Sequence, residues 1–324
     1  MKAVRIHQTG GPEVLTFEDV PTPTPGPGEV LIKVAAAGIN FADLMARQGV
    51  YPSPNGLPAI LGFEVAGTVA AIGEGVTTPD IGARVVGISP SGGYAEYAVA
   101  PAASMVPIPD LLDFPAATAV FLQGLTAYGL LQVGARLQPG ETVLVHAAAG
   151  GVGSLAIQLA KLLGAGRVIG TTSAEEKLDL VQRLGADAAI NYREPNWAEQ
   201  INTLTDGQGV DIILDGVGGE IGAQSPSILA PRGRIVVYGS ASGQPTMIAG
   251  QALMFKGQSL IGYSMGAQTP PEEMAANIRS LLGYVTEGQL QITVGQTFPL
   301  AEAAAAHQAI AERSTVGKVV LLVE

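Results

Sequence analysis

Residues 143–161 read VLVHAAAGGVGSLAIQLAK. An apolar, partly β-branched run meets three alanines and a cluster of glycines, after which apolar residues recur at helical spacing. That pattern is a buried strand, a tight turn and the opening of a helix. In such a unit the glycines let backbone approach a ligand. The first N–H groups of the helix, at the positive end of its dipole, favour an anion such as a pyrophosphate. The spacing Gly151-x-Gly153-x-x-Ala156 fits the dinucleotide-binding fingerprint in its Ala-ending form. On this reading Gly150, Gly151, Val152 and Gly153 form a phosphate cradle. Gly150 and Gly151 supply unusual dihedrals and close approach, Gly153 leaves room for the pyrophosphate, and Ala156 lets the helix lie close to the sheet.

Outward from this turn the same rhythm continues. VIGTT (168–172), AAINY (188–192), DIILDGV (211–217), RIVVYG (234–239) and SLIGYS (259–264) alternate with helical segments near Glu175–Leu184, Trp197–Leu204 and Gly222–Leu229. Alternation of this kind predicts parallel βαβ units, and six strands suit a doubly wound sheet over residues 125–264. Upstream, KAVRI, EVLIKVAAAGI, EVAGTVAAIG, ARVVGI and YAEYAVA are short runs cut by Gly and Pro, which predicts a β-rich domain over residues 1–124. PTPTPGPGEV (21–30) reads as a stiff connector. The tail holds helices near Glu272–Thr286 and Ala301–Glu312 and a last strand, KVVLLV. That strand is expected to return to the first domain, so that residues 265–324 complete it. The fold class is α/β.

The chain has 324 residues, 28 acidic against 17 basic, a net charge of −11. This disfavours phosphate backbones and anionic membranes as partners of the whole surface. Cysteine is absent, which removes disulfides, thiol nucleophiles and thiolate metal sites together. MKAVRIHQTGG reads as strand and turn, without the apolar core of a signal peptide, and no apolar run reaches bilayer-spanning length. The expectation is a cytoplasmic protein with neither nucleic-acid nor membrane partners.

The end of the second sheet strand selects the dinucleotide. NAD-binding sheets usually place Asp or Glu there to hold the ribose 2′-hydroxyl. Here the strand ends Thr171-Thr172-Ser173, with Lys177 a helical turn further on. Hydroxyls and an ammonium at that place suit a 2′-phosphate, so Thr172, Ser173 and Lys177 point to NADPH. Glu175 and Glu176 are expected to face outward.

These residues carry a family resemblance. Gly140-Glu141, Leu144, Ala148-Ala149-Gly150-Gly151-x-Gly153 and Gln158-x-x-Lys161 resemble the signature of the zinc-free quinone oxidoreductase (ζ-crystallin-like) group of the medium-chain dehydrogenase/reductase superfamily. GPGEVLIKVAAAGIN, LPAILGFEVAGTVAAIGEGV, GGYAEY, FLQGLTAYGLL, LGADAAINYRE and GKVVLL extend the likeness over nearly the whole chain. It implies a GroES-like β-rich catalytic domain completed by the chain end, a Rossmann domain between the two parts, an active site in the cleft, and a homodimer. SLIGYS agrees with the last point, because an apolar edge strand needs covering or pairing.

The chain departs from the zinc-dependent members of that superfamily. They carry Cys where this chain has Asn40, in GINFAD, and His where it has Phe63, in GFE. His7, His146 and His307 show no metal-ligand spacing, and His146 reads as a packed residue at a strand end. Hydride addition to a simple carbonyl creates an alkoxide, with a conjugate acid of pKa on the order of 16, which calls for a Lewis acid. Addition to a quinone leaves a phenolate-like oxygen near the tyrosine value of about 10, and an enone gives an enolate. Hydrogen-bond donors and solvent suffice for these. A metal-free site therefore points to a conjugated acceptor.

The resemblance assigns the remaining roles. The Asn40 amide contacts the nicotinamide ribose or the substrate oxygen; Asp43, three residues on, reads as an orienting or structural carboxylate. Tyr51, in GVYPSP, donates to the acceptor oxygen. Thr126 positions the carboxamide, Tyr192 lies near the adenosine phosphate, and Lys318 approaches the cofactor. Tyr94 and Tyr97 read as strand residues. The expected function is NADPH-dependent reduction of a quinone, with solvent or Tyr51 supplying the proton. The alternative is an NADPH-dependent double-bond reductase acting on 2-alkenals, enones or acrylyl-type substrates. From another class comes a non-enzymatic NADPH-binding protein.

Overall fold

The computed structural model describes residues 1–51, 56–90 and 92–324. The chain divides into two compact units, Met1–Leu122 with Ile292–Glu324, and Gln123–Gln291.

The first unit is built on a long strand, Glu29–Ile39, whose Val30, Ile32 and Val34 alternate into the core while Lys33 faces solvent. That period-two pattern is what a half-buried strand requires. Glu64–Ile72 and Tyr97–Pro101 pair with it antiparallel, and Arg84–Ile88 and Met105–Pro107 extend the sheet. The last strand, Lys318–Leu322, also pairs antiparallel with Glu29–Ile39, setting Val319 opposite Ile39. Val294–Pro299 runs parallel to it on the outer side, a strand the sequence pattern did not announce. The return of the chain end is thus a sheet pairing, with Leu300, Ala303, Ala306 and Leu321 in the same core as Ile32 and Val65.

The second unit holds a six-stranded parallel sheet. Its strand order is Ala188–Asn191, Arg167–Thr172, Thr142–Val145, Val210–Asp215, Leu229–Val237, Ser259–Gly262. In sequence order this is 3-2-1-4-5-6, so the strand order reverses beside Thr142–Val145, where doubly wound sheets bind ligands. Leu144, Ile169, Ile213 and Ile235 fill its core.

Two expectations differ from what is found. Residues 265–291 were assigned to the β-rich domain but belong to the sheet unit. The helix Pro271–Thr286 buries Ile278 and Leu281, a leucine whose methyls face Gly124, and Gln158 donates to the carbonyl of Gln291 at 3.0 Å. An amphipathic helix does not state in its own sequence which partner it packs on. The apolar-run expectation also needs correction. Helix Phe114–Gly129 continues through a π turn at Leu130–Gly134, giving 21 residues with a window of mean hydropathy 1.3, long and apolar enough to cross a membrane. Of that window 61% is buried inside the protein, with Ala117, Val120, Leu125 and Leu131 in the core. Its apolar character is thereby accounted for by packing.

Candidate functional site

The glycines of this turn divide the work differently from the sequence reading. Gly150 is the N-cap of the helix Gly151–Leu162, with extended backbone (φ −79°, ψ 178°), and neither it nor Gly151 takes a positive φ. The positive φ of this turn belongs to Ala147, at 52°. A Cβ on Gly153 would stand 2.3 Å from the carbonyl oxygen of Ala147 and 2.8 Å from Cα of Ala148. Gly153 therefore lets the helix close on the turn, and it leaves no room for a ligand. A Cβ on Gly151 would overlap the side-chain amide of Gln123. Gly150 alone looks into open space, its added Cβ meeting only the Ala147 carbonyl at 3.2 Å. The three fingerprint positions are thus 148, 150 and 153, for turn, ligand approach and helix packing. The first intrahelical bond runs from Ser154 N–H to Gly150 O at 2.9 Å. The N–H groups of Gly151, Val152 and Gly153 precede it and lack intrahelical acceptors, an arrangement that suits an anion.

The turn is tied to its neighbours from below. Ala148 N–H donates to the Thr171 carbonyl (2.9 Å), and His146 Nδ1 meets Thr171 Oγ1 at 2.8 Å. His146 is fully buried, edge-on to Trp197, and burial lowers its pKa against the opposing pull of Asp215. It is a packed strand-end residue. Asp215 is also buried and accepts from the backbone of Val217 and Gly218 and from Thr246, so it shapes the loop after the fourth strand.

At the end of the second strand Thr172, Ser173 and Lys177 are all buried, while Glu175 and Glu176 are exposed. Thr172 Oγ1 donates to the Ala174 carbonyl at 2.8 Å. Lys177 is 8% exposed, which sets it apart from a solvated helix charge. Tyr192 lies beside this strand end, its backbone N–H donating to the Thr172 carbonyl at 2.9 Å. Its ring joins the core cluster of Leu144, Ile190 and Trp197.

In the first unit the strand registers bring three polar side chains together. Gly38 pairs with Glu64 and Ile39 with Val319, which places Glu64 and Lys318 at the strand end where Asn40 follows. Lys318 Nζ donates to Glu64 Oε2 at 2.6 Å and to Asn40 Oδ1 at 2.9 Å. Asn40 Nδ2 donates to Glu64 Oε2 and to the Gly38 carbonyl, both at 3.2 Å. The other oxygen of Glu64 accepts from Leu122 N–H at 2.8 Å. Gly38 is a spatial requirement, since a Cβ there would lie 2.4 Å from Glu64 Oε2 and 2.6 Å from Lys318 Cε.

Asn40 also starts the helix Phe41–Gln48 in a capping box with Asp43. Its backbone N–H donates to Asp43 Oδ2 at 2.7 Å, and the Asn40 side chain in turn faces the Asp43 backbone N–H, which also meets the Asn40 carbonyl at 2.9 Å. Asp43 is fully buried. Burial pushes its carboxyl up to about 7, although the Asn40 N–H and the Lys318 charge both favour the ionised form. Beside it Tyr94 is fully buried and shares a 3.0 Å hydrogen bond with His307 Nε2. Burial, with Arg47 adding to it, drives His307 down to about 3.

Tyr51 is half-exposed and packs edge-on to Phe63, ring centroids 6.0 Å apart. Thr126 lies half-buried on helix Phe114–Gly129, one turn beyond Gln123. Glu64 and Gln123 are polar side chains beside these candidate residues that sequence reasoning passed over. The signals were GFE, read for its Phe, and FLQGLT, read for its Thr. Among the described residues no group of three or more His, Cys, Asp or Glu is placed to hold a metal ion.

Residues 26–110 match the family described as Alcohol dehydrogenase GroES-like domain, and residues 151–282 the family described as Zinc-binding dehydrogenase. A quinone oxidoreductase of Pseudomonas aeruginosa is 42% identical over 324 residues, covering 99% of both chains. A 2-haloacrylate reductase of Burkholderia is 37% identical over 331 residues, covering 99% of this chain and 98% of the relative. The solved structure of Escherichia coli quinone oxidoreductase complexed with NADPH superposes with a TM-score of 0.94 at 35% identity, covering 99% of this chain and all of that one.

Proposed function

The chain belongs to the quinone oxidoreductase (ζ-crystallin-like) group of the medium-chain dehydrogenase/reductase superfamily, and from that premise we propose that it binds NADPH and reduces a quinone-type acceptor without a metal. The observation that carries the proposal is an open glycine cradle followed by a strand end without a carboxylate. Gly150 leaves space for a pyrophosphate, the N–H groups of Gly151, Val152 and Gly153 face it, and Thr172, Ser173 and Lys177 suit a 2′-phosphate. Bound there, NADPH supplies a hydride from its nicotinamide ring to the acceptor. Asn40 and Thr126 orient the nicotinamide end, and the Tyr51 phenol or solvent delivers the proton. Lys318 serves the site from inside the protein, through Asn40. Tyr192, beside Thr172, lies near the adenosine phosphate.

The donor set supports the metal-free reading. Phe63 offers no ligand atom, both amide hydrogens of Asn40 are engaged, and an ammonium already stands between Asn40 and Glu64. A second cation there would meet like charge. Hydrogen-bond donors then suffice for a phenolate-like product and fall short for an alkoxide.

The double-bond reductase remains the second reading, favoured by the likeness to a 2-haloacrylate reductase. Steady-state rates with NADPH against matched panels of quinones and 2-alkenals decide between them. A preference for alkenals by orders of magnitude replaces the first reading with the second. Tight NADPH binding with no turnover of any conjugated acceptor replaces both with a non-enzymatic binding protein.

The proposal includes a homodimer in the cytoplasm with no nucleic-acid or membrane partner. Among the described residues the strand Ser259–Gly262 pairs on one side only, with Leu229–Val237, and it carries Leu260 42% exposed. Such an edge is suited to pairing with a second copy. The net charge of −11 and the lack of cysteine support the rest.

A further inference from the structure

The side chain of Gln123 occupies a place that the fold opens for it. Gln123 and the glycine turn belong to the same unit, Gln123–Gln291. A Cβ on Gly151, the first residue of helix Gly151–Leu162, would lie 2.0 Å from Oε1, 2.2 Å from Cδ and 2.3 Å from Nε2 of Gln123. Three near-equal distances mean that the amide lies face-on against this residue, with both of its ends beside the helix start. A side chain at 151 would expel it. Gly124 allows the approach, since a Cβ there would stand 3.3 Å from Leu281 and 3.8 Å from Leu155, one turn beyond Gly151. Helix packing therefore sets the position of Gln123, and hydrogen bonding does not. Oε1 is closed to solvent and has no hydrogen-bond partner, and among the described residues Nε2 has none in the protein either. A buried polar atom left unmet is costly and calls for an explanation.

The helix start beside the amide has donors to spare. The N–H groups of Gly151, Val152 and Gly153 lack intrahelical acceptors, and none of them reaches Oε1. The Ser154 hydroxyl is spent on the Gly151 carbonyl at 3.1 Å. We infer that Gln123 is a further cofactor-binding residue, whose side-chain amide donates to the pyrophosphate at the start of this helix. This rests on the NADPH reading proposed above. Oxygen and NH2 are alike in shape, and no bond within the protein fixes which end carries which. The oxygens of a pyrophosphate diester only accept, so a bound cofactor selects the turn of the amide that presents NH2. Gln123 then adds one side-chain donor to the backbone donors of the helix. Gly151 thereby gains a reason of its own, since it makes room for Gln123 as Gly150 does for the ligand. A donor to the pyrophosphate serves NADPH and NADH alike, unlike a donor to the 2′-phosphate.

The test is equilibrium binding to the full chain, read by titration calorimetry with three ligands: NADPH, NADH, and adenosine 2′-phosphate, which has no pyrophosphate. Gln123→Met keeps the length of the side chain and removes the donor. It is expected to weaken NADPH and NADH by the same factor, about 10- to 100-fold, the range of a hydrogen bond to a charged group. Adenosine 2′-phosphate is expected to bind as it does to wild type. The urea midpoint of the ligand-free variant is expected to stay level or rise, because no hydrogen bond is lost and an unmet polar atom is removed. Gln123→Glu keeps the shape but sets a carboxylate against the phosphates, and it is expected to weaken both dinucleotides more than Gln123→Met does. That variant decides the matter where Gln123→Met fails to fold. Wild-type affinity for both dinucleotides in the folded variants overturns the inference, and so does weakening of NADPH alone. A fall in the urea midpoint together with weaker binding of all three ligands makes Gln123 a packing residue and overturns it too. A wild type that does not bind NADPH at all overturns the proposed function and the inference together.

Discussion

The Nζ atom of Lys318 lies 2.6 Å from Oε2 of Glu64, and neither side chain reaches solvent. The pair is assembled from positions 254 residues apart by the pairing of the last strand with Glu29–Ile39. Breaking it from one side strands a charge. Lys318→Met is expected to lower stability by about 3–5 kcal/mol, because Glu64 loses its counter-charge in a place closed to solvent. E64Q/K318M strands nothing and is expected to cost far less. Urea midpoints of the two variants measure the contrast, and equal losses would mean that side-chain volume, not charge, matters here.

The cradle glycines are expected to separate folding from binding. Gly153→Ala drives a methyl into the Ala147 carbonyl and Ala148 Cα, backbone atoms that cannot swing aside. A loss of about 1–3 kcal/mol is expected, as for other overpacked positions. Gly150→Ala meets only one carbonyl at 3.2 Å and keeps an ordinary extended backbone. Its stability is expected to fall by less than about 1 kcal/mol, the scale of a weakened N-cap, while NADPH affinity falls roughly tenfold as the methyl crowds the ligand. Thermal melts and NADPH titrations on both variants check this. A Gly150→Ala chain with wild-type affinity would remove the cradle from Gly150.

Much of this was readable in advance because it is written locally. The six strands, the turn at 146–153 and the carboxylate-free end at Thr172 and Ser173 each follow from a run of a dozen residues or fewer. What escaped depends on partners distant in sequence. The packing of Pro271–Thr286 is decided by Leu281 meeting the Gly124 region. The fingerprint register came out three residues late, since Gly150 and Gly153 are told apart only by what a side chain would strike. The role of Glu64 needed Lys318, and no spacing rule links the two.

Lys177 is the residue on which cofactor choice is expected to turn. It is buried four residues after Ser173, beyond a strand end that carries no carboxylate. A charge-assisted bond to a 2′-phosphate contributes about 1.5–3 kcal/mol, so Lys177→Ala is expected to weaken NADPH by about 10- to 100-fold. NADH binding should hardly change, since it has no phosphate to lose. Dissociation constants for both cofactors, before and after the substitution, are the measurement. Equal weakening of the two would leave the 2′-phosphate without its cation.

The Asp43 and His307 groups give the first unit a pH signature with two opposed slopes. Asp43, next to the Asn40 N–H, Lys318, Glu64 and Tyr94, is raised to about 7, chiefly by burial. Between about 4 and 7 the folded chain keeps a proton that the unfolded chain has released, so this contribution to stability is full below 4 and is lost as pH rises to 7. His307, near Arg47 and bonded to Tyr94, is lowered to about 3. Between about 3 and 6.5 the unfolded chain holds a proton that the folded chain refuses, so this contribution grows with pH over that window and is lost on acidification. Each slope is about 1.4 kcal/mol per pH unit, and where they overlap they offset one another. Asp43→Asn keeps an acceptor for the Asn40 N–H but removes the falling slope. Relative to wild type, its stability is expected to climb by about 1.4 kcal/mol per unit from pH 4 to pH 7, as read from urea midpoints across that range. His307→Gln is expected to tilt the other way, with stability relative to wild type greatest at the acid end. A stability difference between Asp43→Asn and wild type that stays constant from pH 4 to pH 7 would mean that Asp43 is already ionised in the folded chain, held so by Lys318.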